Sequence, residues 1–192
     1  MTNRIKVIEN AVSQFHINYC IRMLNSMYKN NQLIRFRDNP EVLIAPTNIG
    51  EVDKIVRKYS EDAKKIHIED NGFIKPIYTT EAYLSMWVPG TKAGVHSDSN
   101  DVEYVMYSTV VYLNDDYEGG EIYFPNQGVT IKPKAGSMVL FPSGGHEYFH
   151  GVEPIKHGNR YTIAMWHTMH EDYSIFDAPD KLNPLCREPH PI

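Results

Sequence analysis

The sequence predicts an α+β fold that is mainly β, with two helices first and a series of short strands after them. Two observations lead to this prediction. Up to about residue 72, apolar residues recur at the spacing of amphipathic helices. After about residue 74, short segments rich in Tyr, Val, Ile, Thr and Phe alternate with turns of Gly, Pro, Asn and Asp. Many short strands at this spacing indicate a sandwich or a barrel.

The first helix is predicted to run from Ser13 to about Lys29, with Ser13 as its N-cap. Its apolar stripe consists of Ile17, Cys20, Ile21, Leu24, Met27 and Tyr28. A second helix, for which Asn48 or Thr47 is the candidate cap, is predicted from the stripe of Val52, Ile55, Val56, Tyr59, Ala63 and Ile66. Between the two helices, Glu41–Pro46 is short and apolar, which favours a strand.

The strands of the second part are predicted from β-branched and aromatic residues bounded by turn residues. They are Ala82–Val88, Val105–Leu113, Glu121–Phe124, Val129–Lys132, Ser137–Phe141, Tyr148–Glu153 and Arg160–Thr168. The loops Ile68–Thr80 and Ser99–Met106 flank this region, and we expect them to select the substrate although they contain no informative motif.

The chain of 192 residues is long enough for one domain with a substantial core. Hydrophobic residues make up 42% and charged residues 22%, which is the balance of a globular protein. We therefore expect a single domain over residues 1–192. Within it, residues 1–72 form a helical support, residues 75–168 the β core, and residues 171–192 a Pro-rich C-terminal tail.

Charge and cysteine content narrow the function classes. The formal net charge of -5 argues against nucleic acid as a partner, because no sequence-wide positive field would attract it. No stretch is long and apolar enough to span a membrane, and we expect no membrane partner. Cys20 and Cys186 cannot form a disulfide framework, and Cys20 lies on a helical apolar stripe, as a buried thiol would. Together these features favour a cytoplasmic protein.

His96-Ser97-Asp98 is the first motif that suggests chemistry. Two imidazoles and one carboxylate on one face of Fe(II) leave the other positions open for a cosubstrate and for dioxygen. At the end of a strand, residues i and i+2 point the same way, so His96 and Asp98 can reach one ion. A second H-x-D occurs at His170 and Asp172, but only His190 follows it, in the Pro-rich tail.

The second histidine of such a site must come from another strand. His150 lies in a strand-like stretch one antiparallel excursion later, and His146 lies four residues before it as a rival. The remaining histidines are predicted to be surface or packing residues: His16, His67, His157 and His167.

Arg160 opens the apolar strand RYTIAMW, ten residues after His150. A planar guanidinium can bind a carboxylate bidentately, which suits the distal carboxylate of a 2-oxo diacid. Arg160 and Thr162 face the same side of such a strand. Lys132 and Lys134 are the alternative cations nearest in sequence.

The segments PGTKAGVHSD, TVVYLND, EGGEIYFP, KPKAGSMVLFP, HGVEPI and GNRYTIAMW resemble, in order and spacing, the prolyl 4-hydroxylase family of the Fe(II)/2-oxoglutarate-dependent oxygenases. The resemblance covers about Ala82 to Trp166. It implies a distorted double-stranded β-helix, or jelly roll, supported by N-terminal helices. It also implies Fe(II), 2-oxoglutarate and O2 as cofactor and cosubstrates, with ascorbate as a candidate reductant.

By the same resemblance, His96, Asp98 and His150 are the iron ligands, and the match of HGVEPI favours His150 over His146. Arg160 then holds the distal carboxylate of 2-oxoglutarate, Tyr112 assists it, and Thr162 lines the same side. Collagen-type relatives generally carry Lys where this chain has Arg160. Trp87 occupies a place where a Tyr near the cosubstrate is common, so it is a candidate cosubstrate contact or a core residue.

The resemblance implies hydroxylation of an unactivated C–H bond, with succinate and CO2 as coproducts. A carboxylate at Asp98 favours hydroxylation, because related halogenases need a small residue there. A peptidyl proline is the expected target, so we expect a peptide or protein substrate. The alternatives are an oxygenase of the same family that acts on a small molecule or nucleobase, and a non-catalytic metal-binding jelly roll.

Overall fold

The computed structural model describes residues 4–36, 39–72, 76–99, 105–143 and 146–176. Two α-helices lie in its first part, α1 (Gln14–Lys29) and α2 (Gly50–Asn71). The predicted N-cap of α1 is confirmed, because the Ser13 hydroxyl accepts a hydrogen bond of 3.3 Å from the backbone N–H of His16. Cys20 is fully buried on the apolar face of α1, as predicted, and burial raises the pKa of its thiol to about 12.

The predicted side-chain cap of α2 is wrong. The N-cap residue is Ile49, which makes no side-chain cap hydrogen bond. The Thr47 hydroxyl instead donates to the carbonyl of Ala82, at 3.1 Å, and so ties the start of the helix to the sheet. Asn48 does not cap the helix either. Basic residues on the surface of α2 form ion pairs with neighbouring acids, such as Arg57 with Asp53 at 2.8 Å.

The β part consists of short antiparallel strands. In chain order the strands of the described residues are β1 (Lys6–Ile8), β2 (Ile34–Arg35), β3 (Val42–Ala45), β4 (Tyr78–Trp87), β5 (Ala93–His96), β6 (Tyr107–Tyr112), β7 (Glu118–Gly119), β8 (Ile122–Phe124), β9 (Val129–Ile131), β10 (Met138–Pro142), β11 (His150–Val152), β12 (Ile155–His157) and β13 (Arg160–Thr168).

The strands form a large sheet in the order β1-β10-β6-β13-β4-β3-β2 and a small sheet in the order β5-β11-β8-β9. Strands β12 and β7 pair separately. One apolar cluster joins residues of the large sheet with residues of the small sheet, among them Val139 and Phe124. A larger cluster joins the opposite face of the large sheet to α1 and α2. The molecule therefore has three layers, helices, large sheet and small sheet, and the expected jelly roll with supporting helices is confirmed.

Several boundaries differ from the prediction. Strand β4 begins at Tyr78 and α2 continues to Asn71, so the predicted loop Ile68–Thr80 is wrong at both ends. Most of the loop Ser99–Met106 lies outside the described residues. Strands β1, β2, β5, β7 and β12 were not predicted, because two to four residues are too few to show a periodic pattern.

The predicted tail begins within the described part of the chain. Residues Glu171–Tyr173 form a 3-10 helix, and Phe176 packs against the helical cluster. Residues 177–192, which include Cys186 and His190, lie outside the described residues. No helix in the part of the chain that the structure describes is long and apolar enough to cross a membrane.

Candidate active site

The three residues of the predicted metal site come together at the pairing of β5 with β11. His150 lies directly opposite His96 in the antiparallel register, and Asp98 follows two residues after His96. One ligand atom of each residue lies within 4.8 Å of those of the other two. The side chains of Asp98 and His150 are buried, whereas that of His96 is 41% exposed, so the site opens to solvent on the side of His96.

Both imidazoles are oriented with Nε2 towards the carboxylate. His96 Nδ1 lies 2.8 Å from the carbonyl oxygen of Gly94, and His150 Nδ1 lies 3.3 Å from that of Tyr148. A carbonyl oxygen can only accept, so each Nδ1 carries the proton and each Nε2 offers a lone pair. The Nε2 atoms lie 3.4 Å and 3.7 Å from the two carboxylate oxygens of Asp98. Three ligand atoms thus converge on one point.

The charges of the site favour an ionised carboxylate. Burial raises the pKa of Asp98, but His150, His96 and the Ser108 hydroxyl together outweigh it and hold the pKa below its usual value. Burial lowers the pKa of His150 below that of a free imidazole. Burial also lowers the pKa of His96, but Asp98 and the Gly94 carbonyl raise it further, so it lies above the usual value. An anion faces two imidazoles, which suits a divalent cation.

Arg160 lies deeper in the same cavity and is only 2% exposed. Its Nη2 donates to the Tyr112 hydroxyl at 3.0 Å, and its guanidinium carbon lies 4.7 Å from the ring centre of Trp87. Its Nε and Nη1 atoms are buried, and no residue in the described part of the chain is in hydrogen-bond geometry with them. Because a buried charge without a counter-ion is costly, these atoms indicate a place for an anion.

The side chains around Arg160 form a short polar chain. Thr162 lines the cavity together with Arg160, as the strand alternation predicts, and its hydroxyl lies 2.7 Å from that of Ser85. The indole N–H of Trp87 donates to the Ser85 hydroxyl at 3.3 Å. Trp87 therefore lines the cavity, stacks on Arg160 and is held by a hydrogen bond.

The rival residues lie elsewhere. His146 is exposed and stacks on Phe149, and it is not among the described residues that could hold a metal ion together. His170 and Asp172 are likewise exposed and outside that group. Lys134 pairs with Glu9 at the surface, at 3.0 Å, and Lys132 is exposed.

Sequence reasoning missed several residues of the site. Ser108 on β6 donates to Asp98 Oδ2, and its oxygen lies 2.8 Å from the Ser143 hydroxyl, which can donate to it. An aromatic wall, defined here as Phe36, Tyr83 and Trp166, lines part of the cavity, which measures about 680 Å³. Strand parity could have found Ser108, which shares a face of β6 with Tyr112. No local sequence pattern predicts that Phe36 lines the cavity, because its position depends on the pairing of β2 with β3.

The donor set fits the implied cofactors. Two neutral imidazoles and one carboxylate on one face of a site are the ligands of mononuclear Fe(II) oxygenases. The orphaned nitrogens of Arg160 match the distal carboxylate of a 2-oxo diacid. Fold and site together define a jelly-roll protein with a candidate iron centre and a separate anion anchor in one cavity.

Comparison with known proteins agrees with this class. Residues 82–168 match the model of the 2OG-Fe(II) oxygenase superfamily. Over 68 residues the chain is 44% identical to prolyl 3-hydroxylase 2 of Rattus norvegicus, which is 33% of this chain and 10% of the relative. The match thus spans about a tenth of that relative's length.

Two solved structures illustrate the fold. A Pseudomonas putida prolyl-4-hydroxylase superimposes with a TM-score of 0.70 at 20% identity, covering 88% of this chain and 94% of that one. A prolyl hydroxylase in complex with a hypoxia inducible factor oxygen degradation domain peptide fragment, from Trichoplax adhaerens, gives a TM-score of 0.73 at 19% identity, covering 90% and 86%. At these identities the likeness concerns the fold alone.

Proposed function

We propose that this protein is an Fe(II)- and 2-oxoglutarate-dependent dioxygenase that hydroxylates a peptidyl proline. The observation that carries the proposal is the arrangement of two different sites on one cavity: the converging His96, Asp98 and His150, and the buried, half-satisfied Arg160. A metal that served folding alone would be enclosed by protein ligands and would need no anion anchor.

In this proposal each residue has a distinct task. His96, Asp98 and His150 hold the iron, and Arg160 with Tyr112 holds the distal carboxylate of 2-oxoglutarate. Thr162 and Trp87 line the cosubstrate end of the cavity. Iron with 2-oxoglutarate and O2 supplies the oxidising power for an unactivated C–H bond, and yields succinate and CO2 as coproducts. The protein orients these groups and excludes water from them.

The substrate end of the cavity supports an apolar target. The aromatic wall has ring centroids 5.0 Å apart for Phe36 and Tyr83, and 5.6 Å apart for Tyr83 and Trp166. Val42 and Ile44 pack against the same rings. The Tyr83 hydroxyl donates to Glu81 at 3.0 Å, which holds this ring in place. Aromatic faces bury an apolar ring such as that of proline better than they bury a charged or strongly polar group.

The position of hydroxylation on the ring is a second part of the proposal. The sequence relative is a prolyl 3-hydroxylase, whereas one of the structural neighbours is a prolyl-4-hydroxylase. Both chemistries attack an unactivated C–H bond of the same ring, and they differ only in which carbon faces the iron. The sequence predicts a peptidyl proline as the target but not the carbon that is hydroxylated, which the product must show.

The experiment is incubation of purified protein with Fe(II), 2-oxoglutarate, ascorbate and a library of proline-containing peptides. We expect succinate formation together with a peptide mass gain of one oxygen atom, and hydrolysed product then separates 3- from 4-hydroxyproline. Ascorbate is proposed as the reductant, so its omission should shorten the active lifetime. Succinate with small molecules or nucleobases but not with peptides would support the small-molecule alternative. Metal binding without succinate under all conditions would support the non-catalytic alternative.

The cytoplasmic location is a separate proposal, which imaging of the tagged protein tests.

A further inference from the structure

Tyr117 is a buried side chain that the roles above do not use. It lies in the turn before β7 and is 3% exposed. Its hydroxyl is buried, and none of the described residues is in good hydrogen-bond geometry with it, although the Arg160 guanidinium lies close enough to lower its pKa as a donor would. Burial raises the pKa of Tyr117 to about 12, although the positive charge of Arg160 opposes this rise. At neutral pH the hydroxyl therefore carries its proton and is available as a donor.

Tyr117 and Arg160 lie side by side. A Cβ atom at Gly120 would lie 3.1 Å from Tyr117 Cε2 and 3.3 Å from Arg160 Cδ, so both side chains pack against the same glycine. The φ angle of Gly120 is also positive, at 69°, which favours glycine on conformational grounds. The backbone here is thus adapted to bring the phenol ring close to the arginine.

Among the described residues, three buried polar atoms in this one place lack a partner in hydrogen-bond geometry: the Tyr117 hydroxyl and the Nε and Nη1 atoms of Arg160. Native proteins leave few buried polar atoms unsatisfied, and all three of these atoms are donors. Hydrogen-bond donors next to a buried positive charge are satisfied best by an anionic acceptor. A carboxylate has enough lone pairs to accept from all of them at once.

We propose that the Tyr117 hydroxyl donates a hydrogen bond to the distal carboxylate of the 2-oxo diacid, as a third group beside Arg160 and Tyr112. This inference rests on the proposed function, because it concerns the same cosubstrate. It makes the anchor selective for a dicarboxylic 2-oxo acid over a monocarboxylic one. It also means that the hydroxyl destabilises the protein without cosubstrate and strengthens binding of the cosubstrate.

The test is Tyr117→Phe, which removes one oxygen atom and preserves the ring. Mn(II) replaces iron so that binding is measured without turnover, by calorimetry and by thermal unfolding. A hydrogen bond to a charged group corresponds to about tenfold or more in affinity, so the Kd for 2-oxoglutarate should rise at least tenfold. Without 2-oxoglutarate the variant should unfold at an equal or higher temperature than wild type, because an unsatisfied buried hydroxyl has been removed. Mn(II) affinity should not change.

Tyr161→Phe is the matched control. Tyr161 lies next to Arg160 on β13, but its hydroxyl has a hydrogen-bond partner. That hydroxyl donates to Asn25 Oδ1 at 2.7 Å on the helical side of the sheet. The control should lower the unfolding temperature and leave 2-oxoglutarate affinity unchanged, the reverse of Tyr117→Phe. 2-Oxobutanoate, which lacks the distal carboxylate, should bind wild type weakly. Its Kd should be the same for wild type and Tyr117→Phe.

The outcomes separate this inference from the function on which it rests. If 2-oxoglutarate binds wild type and Tyr117→Phe equally, the role of Tyr117 is wrong and the proposed function stands. If Tyr117→Phe weakens 2-oxobutanoate as much as 2-oxoglutarate, the hydroxyl does not contact the distal carboxylate, and the proposal is also wrong. If 2-oxoglutarate does not bind wild type in the presence of Mn(II), the proposed function itself fails.

Discussion

Histidines are grouped on both sides of the large sheet, and the two groups have different polar partners. On the cavity side, His150 and its partner His96 from the small sheet direct Nε2 towards the carboxylate of Asp98. On the helical side, His67 of α2 and His167 of β13 are buried with ring centroids 5.4 Å apart. The rings of His96 and His150 have centroids 4.4 Å apart, so both pairs of histidines are close, but their surroundings differ.

The difference lies in what the ring nitrogens meet. His67 Nε2 and His167 Nε2 each lie 3.1 Å from the Thr109 hydroxyl, and His167 Nδ1 lies 3.1 Å from that of Thr79. Hydroxyls can both donate and accept, so they satisfy neutral imidazoles without any ion. On the cavity side an anion faces the nitrogens, and a cation is needed to balance the group. The partner of an imidazole therefore distinguishes packing from metal binding better than burial does.

The largest expected effect concerns the cavity side. Replacing His96, Asp98 or His150 by Ala should abolish Mn(II) binding and succinate formation, because each change removes one of three protein ligands. His146→Ala is the matched control and should retain both. Calorimetry with Mn(II) and a succinate assay measure the effect. Retained activity in His150→Ala, with loss in His146→Ala, would reverse the assignment of the second histidine.

The next effect concerns the anion anchor. Arg160→Ala should raise the KM for 2-oxoglutarate at least tenfold, because breaking a buried charge pair costs about 2–5 kcal/mol and about 1.4 kcal/mol is tenfold. Mn(II) affinity should change little, and Arg160→Lys should be intermediate, since Lys keeps the charge but loses the planar fork. Lys134→Ala should behave as wild type. An unchanged KM in Arg160→Ala would assign the anchor to another cation.

A third prediction concerns the helical side and acid. Burial lowers the pKa of His67 to about 4 and that of His167 well below 6.5. Below pH 6.5 the unfolded chain therefore binds protons that the folded protein does not, and the stability falls with falling pH. For His67 the loss is complete near pH 4 and amounts to about 3 kcal/mol, at about 1.4 kcal/mol per pKa unit.

Urea unfolding between pH 7.5 and pH 4.5, with chelator present, measures this loss. His67→Gln keeps a polar side chain beside Thr109 but does not titrate, so its free energy of unfolding should depend less on pH than that of wild type. Equal pH dependence in the two proteins would mean that folding does not change the pKa of His67.

The sequence predicted much of this because the informative signals are local or periodic. The His96–Asp98 spacing sufficed to propose a metal site with a second histidine from a later strand, and the resemblance of HGVEPI favoured His150 over His146. The alternation of side chains along a strand predicted that Arg160 and Thr162 face the same side. The helices followed from their apolar stripes. These patterns are visible in the sequence because burial of one face of a helix or strand requires apolar residues at a regular spacing.

What was missed depends on contacts between distant segments. Thr47 bonds to a sheet carbonyl and does not cap α2, and no local pattern distinguishes the two uses. Phe36 reaches the cavity through a hairpin, and Tyr117 reaches the side of Arg160 through a turn, and the tertiary fold determines both positions. His67 and His167 were placed among surface or packing residues, and only their hydroxyl partners show that they form a buried network.

The smallest expected effect tests the comparison most directly, because neighbouring residues of one strand serve the two faces. Ser108 of β6 donates to Asp98 on the cavity side, and Thr109 bonds to His67 and His167 on the helical side. Ser108→Ala should weaken Mn(II) binding about 10- to 100-fold, the usual effect of losing a partner that orients a ligand. Its free energy of unfolding without metal should change little, because the Asp98 carboxylate is then left with His96 and His150 as partners.

Thr109→Val should do the opposite. It preserves the shape of the side chain but leaves two buried imidazole nitrogens without the hydroxyl, at a cost of about 1–3 kcal/mol in the free energy of unfolding. Its Mn(II) affinity should equal that of wild type, because Thr109 faces away from the ligands. Metal titration and urea unfolding are measured on both variants. We expect Ser108→Ala to lose metal affinity but not stability, and Thr109→Val to lose stability but not metal affinity. If both variants lose metal affinity to the same extent, the two faces are coupled through the strand, and the histidine groups are not independent.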